Sequence, residues 1–337
     1  MPSKLIGVDV GGTTVKFAIF NVHGDIQDQW SFPTDPLDNG NRVVPDIINS
    51  IKHRVQLYDM KLSDFYGVGL DFPGTVTDHG RAVVGAYHLN WETPHAVKQP
   101  LEEALGIPVI LENDANAAAL GENWKGAGNN SANMLMITLG TGIGSGIIAG
   151  GKLLTGYLGS AGEIGHICVD PNGFKCSCGN MGCLEEYASA TGIVRVAHAK
   201  AEEYEGNSKL KAMLDQGEEV SSKTVVDLAR DKDYLAEQSL TQSCTYLGTA
   251  LSYVGNTLNP ETMIIGGGVS AAGQFLLNLI EKPLREHLFP TMKTSTQLKL
   301  AELGNTAGLI GAASLVLSTI DDSALTTTER IAKQMVL

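Results

Sequence analysis

The sequence predicts an α/β protein built from two similar αβ domains, with a metal-bound loop in the second. Three observations predict it. A strand–glycine turn–strand unit at 4–24 recurs at 135–152, about 130 residues on. Alternating helical and strand patterns fill the stretches around both copies. Between 163 and 187 the chain reads EIGHICVDPNGFKCSCGNMGCLEEY, which brings His166, Cys176, Cys178 and Cys183 together in a loop rich in Gly, Asn and Pro.

The first unit, LIGVDVGGTTVKFAIFNVHGD, predicts a strand ending at Asp9, a turn at Gly11-Gly12-Thr13-Thr14 and a second strand at 15–22. Glycine lets an anion approach backbone N–H groups in such a turn, so the motif reads either as a phosphate site or as a plain β-turn. Helical spacing follows at 45–60 through Ile47, Ile48, Ile51 and Val55. A strand at 65–70 ends in Asp71-Phe72-Pro73-Gly74, a turn that lines a ligand or merely closes the unit. A helix is expected at 94–105 and a strand at 108–111, which hands over to Glu112-Asn113-Asp114-Ala115-Asn116 and an Ala-rich helix. In open α/β sheets such strand ends face the ligand crevice. Asp114 could serve as a helix N-cap, but Asn113, Asp114 and Asn116 together are more polarity than one cap needs.

The second copy, LMITLGTGIGSGIIAGGK, carries its turn at Gly140-Thr141-Gly142. Its Gly144-x-Gly146-x-x-Ala149 is half of a dinucleotide fingerprint, discounted because an apolar strand follows it rather than a helix. In the next segment, His166, Cys176, Cys178 and Cys183 form the closed four-ligand set of structural zinc. Buried thiols and a redox pair are the rivals; three cysteines in one loop are hard to place in a core, and Cys176-x-Cys178 lacks the two-residue spacer of thioredoxin-type motifs. Glu163, Glu185 and Glu186 flank the ligands. Helices are then expected at 183–205, 208–216, 222–229 and 234–258, a strand at 263–265, the glycine run Gly266-Gly267-Gly268, and a helix at 271–287. The last αβ unit, at 297–303 and 306–317, has small residues suited to close packing. The tail at 321–337 is polar, with a Thr326-x-x-Glu329 capping pattern and no assigned chemistry.

The chain has 337 residues, a size for two domains, and a net charge of −13, which disfavours nucleic acid or an anionic membrane as partner. No signal peptide and no membrane-length apolar run are expected. The five cysteines are an odd number, three of them in the metal cluster, which suits a reducing cytoplasm.

These motifs together resemble the ROK family of repressors and sugar kinases, and within it the bacterial glucokinases, over roughly residues 4–317. The matching stretches are Asp9-Val10-Gly11-Gly12-Thr13, Glu112-Asn113-Asp114-Ala115-Asn116, Leu139-Gly140-Thr141-Gly142-Ile143-Gly144, Glu163-Ile164-Gly165-His166, the three cysteines with Glu185, and Gly266-Gly267-Gly268. The resemblance implies the actin-like, sugar-kinase, Hsp70 type of fold: two αβ domains around a cleft, here 1–120 with 304–320, and 121–303 with the zinc loop. It implies Asp114 as general base, and Gly74, Asn113, Glu163, His166 and Glu185 on the sugar. His166 would serve zinc with one ring nitrogen and sugar with the other. ATP would lie on Asp9, Gly11, Gly12, Thr13, Thr14, Lys16, Gly140, Thr141, Gly142 and Gly266–Gly268, with Mg²⁺ positioned by Asp9. One departure stands out: family members carry Asn-Leu-x-Trp where this chain has His88-Leu89-Asn90-Trp91, so His88 takes no role from the resemblance.

The expected activity is ATP-dependent phosphorylation of glucose at the 6-hydroxyl by a cytoplasmic homodimer. The alternatives are another hexose (mannose, fructose or an N-acetylated hexose) or a sugar-binding regulator. A repressor is expected to carry about 60–80 residues of DNA-binding domain before the first phosphate loop. A zinc hydrolase fails because protein fills all four ligand positions.

Overall fold

The computed structural model describes residues 2–77, 79–321, 325, 330 and 333, so the Thr326 and Glu329 capping pattern lies outside the described residues. The chain forms two compact units. The first holds Met1–Ala132, Gly146–Ala161 and the chain from Glu302 onward; the second holds Asn133–Ser145 and Gly162–Ala301.

The first unit is built on a five-stranded sheet in the order β3-β2-β1-β4-β8. Strand β1 (Lys4–Val10) runs antiparallel to β2 (Thr14–Asn21), which pairs with β3 (Ile26–Pro33). The third strand was not anticipated, although Ile26, Asp28, Trp30 and Phe32 alternate with polar residues as an edge strand requires. Strands β4 (Phe65–Phe72) and β8 (Val109–Asn113) run parallel to β1. Helices α1 (Val43–Leu57) and α2 (Lys98–Leu105) contribute Ile47, Ile51, Val55, Leu101 and Leu105 to the core that includes Val8, Phe17 and Leu70.

A small antiparallel sheet, β5 (Thr75–Thr77), β6 (Ala82–Val84) and β7 (His95–Ala96), interrupts the expected alternation. It corrects the helix expected from Pro94. The N–H groups of Val97 and Lys98 both donate to Arg81 O, which holds this entry to β6, and the helix starts only at Lys98.

On the sheet's other core lie α3 (Asp114–Lys125) and α11 (Ala307–Thr319). A Cβ on Gly69 would collide with the backbone of Ala312, and one on Gly311 with the backbone of Ala117. Small residues let α11 press backbone to backbone on β4 and α3, as the composition of its segment suggested. Buried Glu122 ties this corner together by accepting the N–H groups of Ala127, Glu302 and Leu303. Helix α3 therefore stays whole within the first unit, and the division falls after it rather than at residue 120.

The second sheet has the order β11-β10-β9-β12-β13, from β9 (Asn133–Leu139), β10 (Ile143–Ala149), β11 (Lys152–Leu153), β12 (Thr262–Gly266) and β13 (Gln297–Leu300). Residues 144–149 are strand, as expected when the dinucleotide fingerprint was discounted. The helices of the second unit are α4 (Glu185–Ala188), α5 (Ala190–Glu203), α6 (Lys209–Asp215), α7 (Ser222–Arg230), α8 (Tyr234–Leu258), α9 (Gln274–His287) and α10 (Met292–Ser295). The single helix expected at 183–205 is broken at Ser189, whose extended backbone and side chain cap α5 through Gly192 N–H at 2.9 Å. No helix among the described residues is long and apolar enough to cross a membrane.

Candidate active site

The strand ends of the first unit converge on carboxylates. Asp9 lies in register with Asp71 across β1 and β4, and Phe72 with Asn113 across β4 and β8. These are the carboxyl ends of parallel strands, where open α/β sheets present ligand-binding side chains. Lys16 Nζ donates to Asp9 Oδ2 at 2.8 Å.

Asn113, not Asp114, caps α3. Its Oδ1 accepts the N–H groups of Ala115 at 2.9 Å and Asn116 at 3.2 Å. Its Nδ2 donates to Gly74 O at 2.9 Å and to Asp114 Oδ1 at 3.0 Å. Asp114 Oδ1 also accepts Ala115 N–H at 2.8 Å, and among the described residues no hydrogen bond holds its Oδ2. Asp114 presents surface to solvent but has protein packed behind it. That burial pushes its pKa up to about 6; hydrogen bonds from Ala115 and Asn113 oppose the rise and the charge of Asp9 adds to it.

Asp71 was read only as part of a turn. Its side chain is fully buried, and neither oxygen has a partner by ordinary hydrogen-bond geometry, although Asp9 stands close enough to act on it. Burial first, then the negative charges of Asp9 and Asp114, raise its pKa well above the carboxylate range. The signal in the sequence was an acid in an otherwise apolar strand, between Leu70 and Phe72.

Both predicted glycine turns have the same economy. Gly11 N–H closes the first turn on Thr14 O at 3.0 Å, and Gly140 N–H closes the second on Gly142 O at 3.0 Å. The second turn is pinned by α5, through Ala190 N–H to Gly140 O and Thr191 Oγ1 to Thr141 O. Behind it, Ile143 N–H donates to Glu185 Oε2 at 2.8 Å. In the 266–268 run, Gly267 has φ +80°, and a Cβ on Gly268 would meet nothing within 4 Å.

In the second unit, the ligand atoms of His166, Cys176, Cys178 and Cys183 all lie within 4.8 Å of one another. His166 Nδ1 is 3.6 Å from Cys176 Sγ, and Cys178 Sγ is 3.7 Å from Cys183 Sγ. Ideal zinc bond lengths in a tetrahedron put ligand atoms about 3.6–3.8 Å apart, so the donor set fits that ion. Burial, and then the neighbouring thiols, push Cys183 up to about 12; a cation among the sulfurs would reverse that preference. With Nδ1 turned to the cysteines, His166 Nε2 lies 4.0 Å from Glu163 Oε2. Glu186 instead pairs with Arg195. Cys168, the fourth thiol of the segment, is exposed and outside the ligand set.

The structure thus groups Asp9, Gly11, Gly12, Thr13, Thr14, Lys16, Gly74, Asn113 and Asp114 in the first unit. Gly140, Thr141, Gly142, Glu163, His166, the three cysteines, Glu185 and Gly266–Gly268 belong to the second.

The fold and these groups define a protein of the sugar-kinase class. Residues 5–319 match the ROK family. The chain is 42% identical over 312 residues to a glucokinase of Halalkalibacterium halodurans, covering 92% of this chain and 94% of that protein. It is 35% identical to a glucokinase of Thermotoga maritima, covering 93% and 97%. A structure of a ROK family glucokinase from Streptomyces griseus, in complex with glucose and AMPPNP, superposes with a TM-score of 0.72 at 34% identity, covering 93% and 98%. The chain belongs to the ROK family.

Proposed function

We propose that the protein transfers the γ-phosphoryl group of ATP to the 6-hydroxyl of glucose. The observation that carries this reading is Asp114: one oxygen is held by two donors, Oδ2 accepts no hydrogen bond from the described residues, and burial raises the pKa to about 6. A general base needs a fixed carboxylate with a free oxygen and a pKa not far below the working pH. The 42% identity to a glucokinase supports the sugar, and the Streptomyces griseus structure with glucose and AMPPNP supports the sugar and the donor.

In this reading, Gly74, Glu163, His166 and Glu185 bind the sugar, and Asn113 supports the site from behind. All donors and the acceptor of Asn113 are already committed, so its contribution is to fix Asp114 and the Gly74 carbonyl. Oδ2 of Asp114 takes the proton of the 6-hydroxyl as that oxygen bonds to the γ-phosphorus and ADP departs. The N–H groups of the 11–14 and 140–142 turns, with the 266–268 run, receive the nucleotide. Asp9 offers the hard oxygen donor that Mg²⁺ takes. When bound, Mg²⁺ neutralises charge on the phosphates. Zinc would hold the 166–183 loop in shape and fix the His166 ring, leaving Nε2 toward the sugar.

The reading extends to a homodimer in the cytoplasm; the free state of all five cysteines suits a reducing compartment. A coupled assay with ATP and Mg²⁺ over a hexose panel tests it. The expected result is the highest kcat/KM for glucose. Preference for mannose or an N-acetylated hexose would replace the sugar, and no phosphorylation of any hexose would end the reading.

A further inference from the structure

His88 stands directly over the first glycine turn. A Cβ on Gly12 would lie 2.8 Å from His88 Cβ and 3.2 Å from its Cγ, so only glycine fits beneath this side chain without a shift. The imidazole is exposed, but its backbone is fixed on both sides. Residues Tyr87–Leu89 form a short 3-10 turn flanked by Ala86 and Trp91, which, like Leu89, are buried. Leu89 N–H donates to Ala86 O at 2.8 Å, Gly85 N–H to Trp91 O at 2.9 Å, and Asn90 Nδ2 to Pro36 O at 2.8 Å. The Trp91 ring stacks on His95 at 4.2 Å between centroids and leans on Phe72 at 5.6 Å. The backbone that carries His88 is thus fixed, and its Cβ lies beside Gly12.

Among the described residues, the N–H groups of Gly12 and Thr13 make no hydrogen bond, because the turn closes through Gly11 and Thr14. Two free backbone donors in succession, beside a lysine on the following strand, make a concavity suited to phosphate oxygens. Lys16 is already committed to Asp9. An imidazole has an N–H donor in either neutral tautomer and two when cationic.

The geometry points to His88 as a phosphate-binding residue: it donates a hydrogen bond to the polyphosphate end of the nucleotide held on the 11–14 turn. The inference rests on the kinase reading for the identity of the ligand, and it deepens that reading by adding an imidazole donor beside the turn's backbone N–H groups. The residue would act on the nucleotide and leave the sugar alone.

The test uses His88→Ala and His88→Asn in the full chain. ATP binding is measured calorimetrically without sugar, alongside glucose binding, the melting temperature and the two Michaelis constants. His88→Ala should weaken ATP binding and raise the KM for ATP by roughly tenfold, the scale of a hydrogen bond to a charged group. Glucose affinity and melting temperature should stay at the parent's values, and the shorter amide of His88→Asn should recover part of the loss. ATP affinity within about twofold of the parent, well short of that scale, would overturn the inference. Equal losses for ATP and glucose, or a lowered melting temperature, would overturn it too, because those mark a packing role over Gly12. If the parent phosphorylates no hexose, the kinase reading fails, while the ATP-binding comparison still decides His88; a parent that binds no ATP overturns both.

Discussion

Asn113 holds Asp114 from outside the helix that Asp114 begins: its Nδ2 donates to Asp114 Oδ1 at 3.0 Å while its Oδ1 caps that helix. Capping of α3 and orientation of the proposed base thus sit on one amide, and substitutions at the two positions should separate them. Asp114→Asn leaves the cap intact, so stability should hold while turnover falls roughly 10²–10⁴-fold, the usual scale for a positioned acid–base group. Asn113→Ala should lower stability by about 1 kcal/mol, as lost caps do, and lower turnover as well. Urea melts with a coupled assay check both. A folded Asp114→Asn variant at near-parental turnover would remove Asp114 from the mechanism.

The pH dependence follows from the same carboxylate. As a base, Asp114 must be ionised, and its pKa of about 6 puts the loss of activity on the acid side. kcat/KM should be flat above pH 7 and fall about tenfold per unit well below 6. A profile that stays level down to pH 5 would be incompatible with this group as the base.

Asp71 makes the opposite demand on stability. Burial and the charges of Asp9 and Asp114 hold its folded pKa well above the ordinary carboxylate range, so its contribution is full below that range and is lost as pH rises through the folded pKa. Asp71→Asn carries no such charge. The melting temperature of the variant relative to the parent should therefore climb as pH rises above the ordinary carboxylate range and level off once pH passes the raised folded pKa. A difference that does not change with pH would show that Asp71 titrates normally.

Much of this site was legible in the chain because it rests on short-range chemistry. Strand followed by glycine turn places Asp9 and the 11–14 segment, and one imidazole with three thiols at close spacing predicts its own geometry. The rest depended on what meets across strands. Asp71 gained its meaning from lying beside Asp9, two strands that the sequence separates by a helix. His88 looked like a lone departure from a motif until Gly12 was found beneath it. The small sheet at 75–96 was missed because its strands are two or three residues long, too short to show a period of two.

The second glycine turn should divide nucleotide from sugar. A Cβ on Gly140 would meet nothing closer than Gly142 O at 3.9 Å, so Gly140→Val should fold normally. Its side chain would occupy the approach of the phosphates, and the KM for ATP should rise much more than that for glucose. A Cβ on Gly142 would instead strike the Glu185 carboxylate, which holds Ile143 N–H. Gly142→Ala should therefore raise the KM for glucose. If the two variants exchange these effects, the assignment of Gly140 to nucleotide and Glu185 to sugar is wrong.

The zinc cluster should be visible in stability and in sugar binding, but not in ATP binding alone. Its four donors lie within 4.8 Å of one another, two pairs of them at the tetrahedral separation, and His166 turns Nδ1 to Cys176 while Nε2 lies 4.0 Å from Glu163. The purified protein should carry one zinc per chain, since each chain supplies one such set. Cys178→Ala removes one donor from an exposed position, so little packing is lost with it. What is lost is the ion's contribution to folding and the fixed orientation of the His166 ring. The variant should melt lower, bind substoichiometric zinc and show a KM for glucose raised roughly 10–100-fold, the range seen when support for a metal ligand is removed. A chelator should reproduce all three changes in the parent and leave the variant almost unaffected. Active parent protein that contains no zinc by elemental analysis would dismiss the metal, and the three cysteines would then have to be explained as packed thiols.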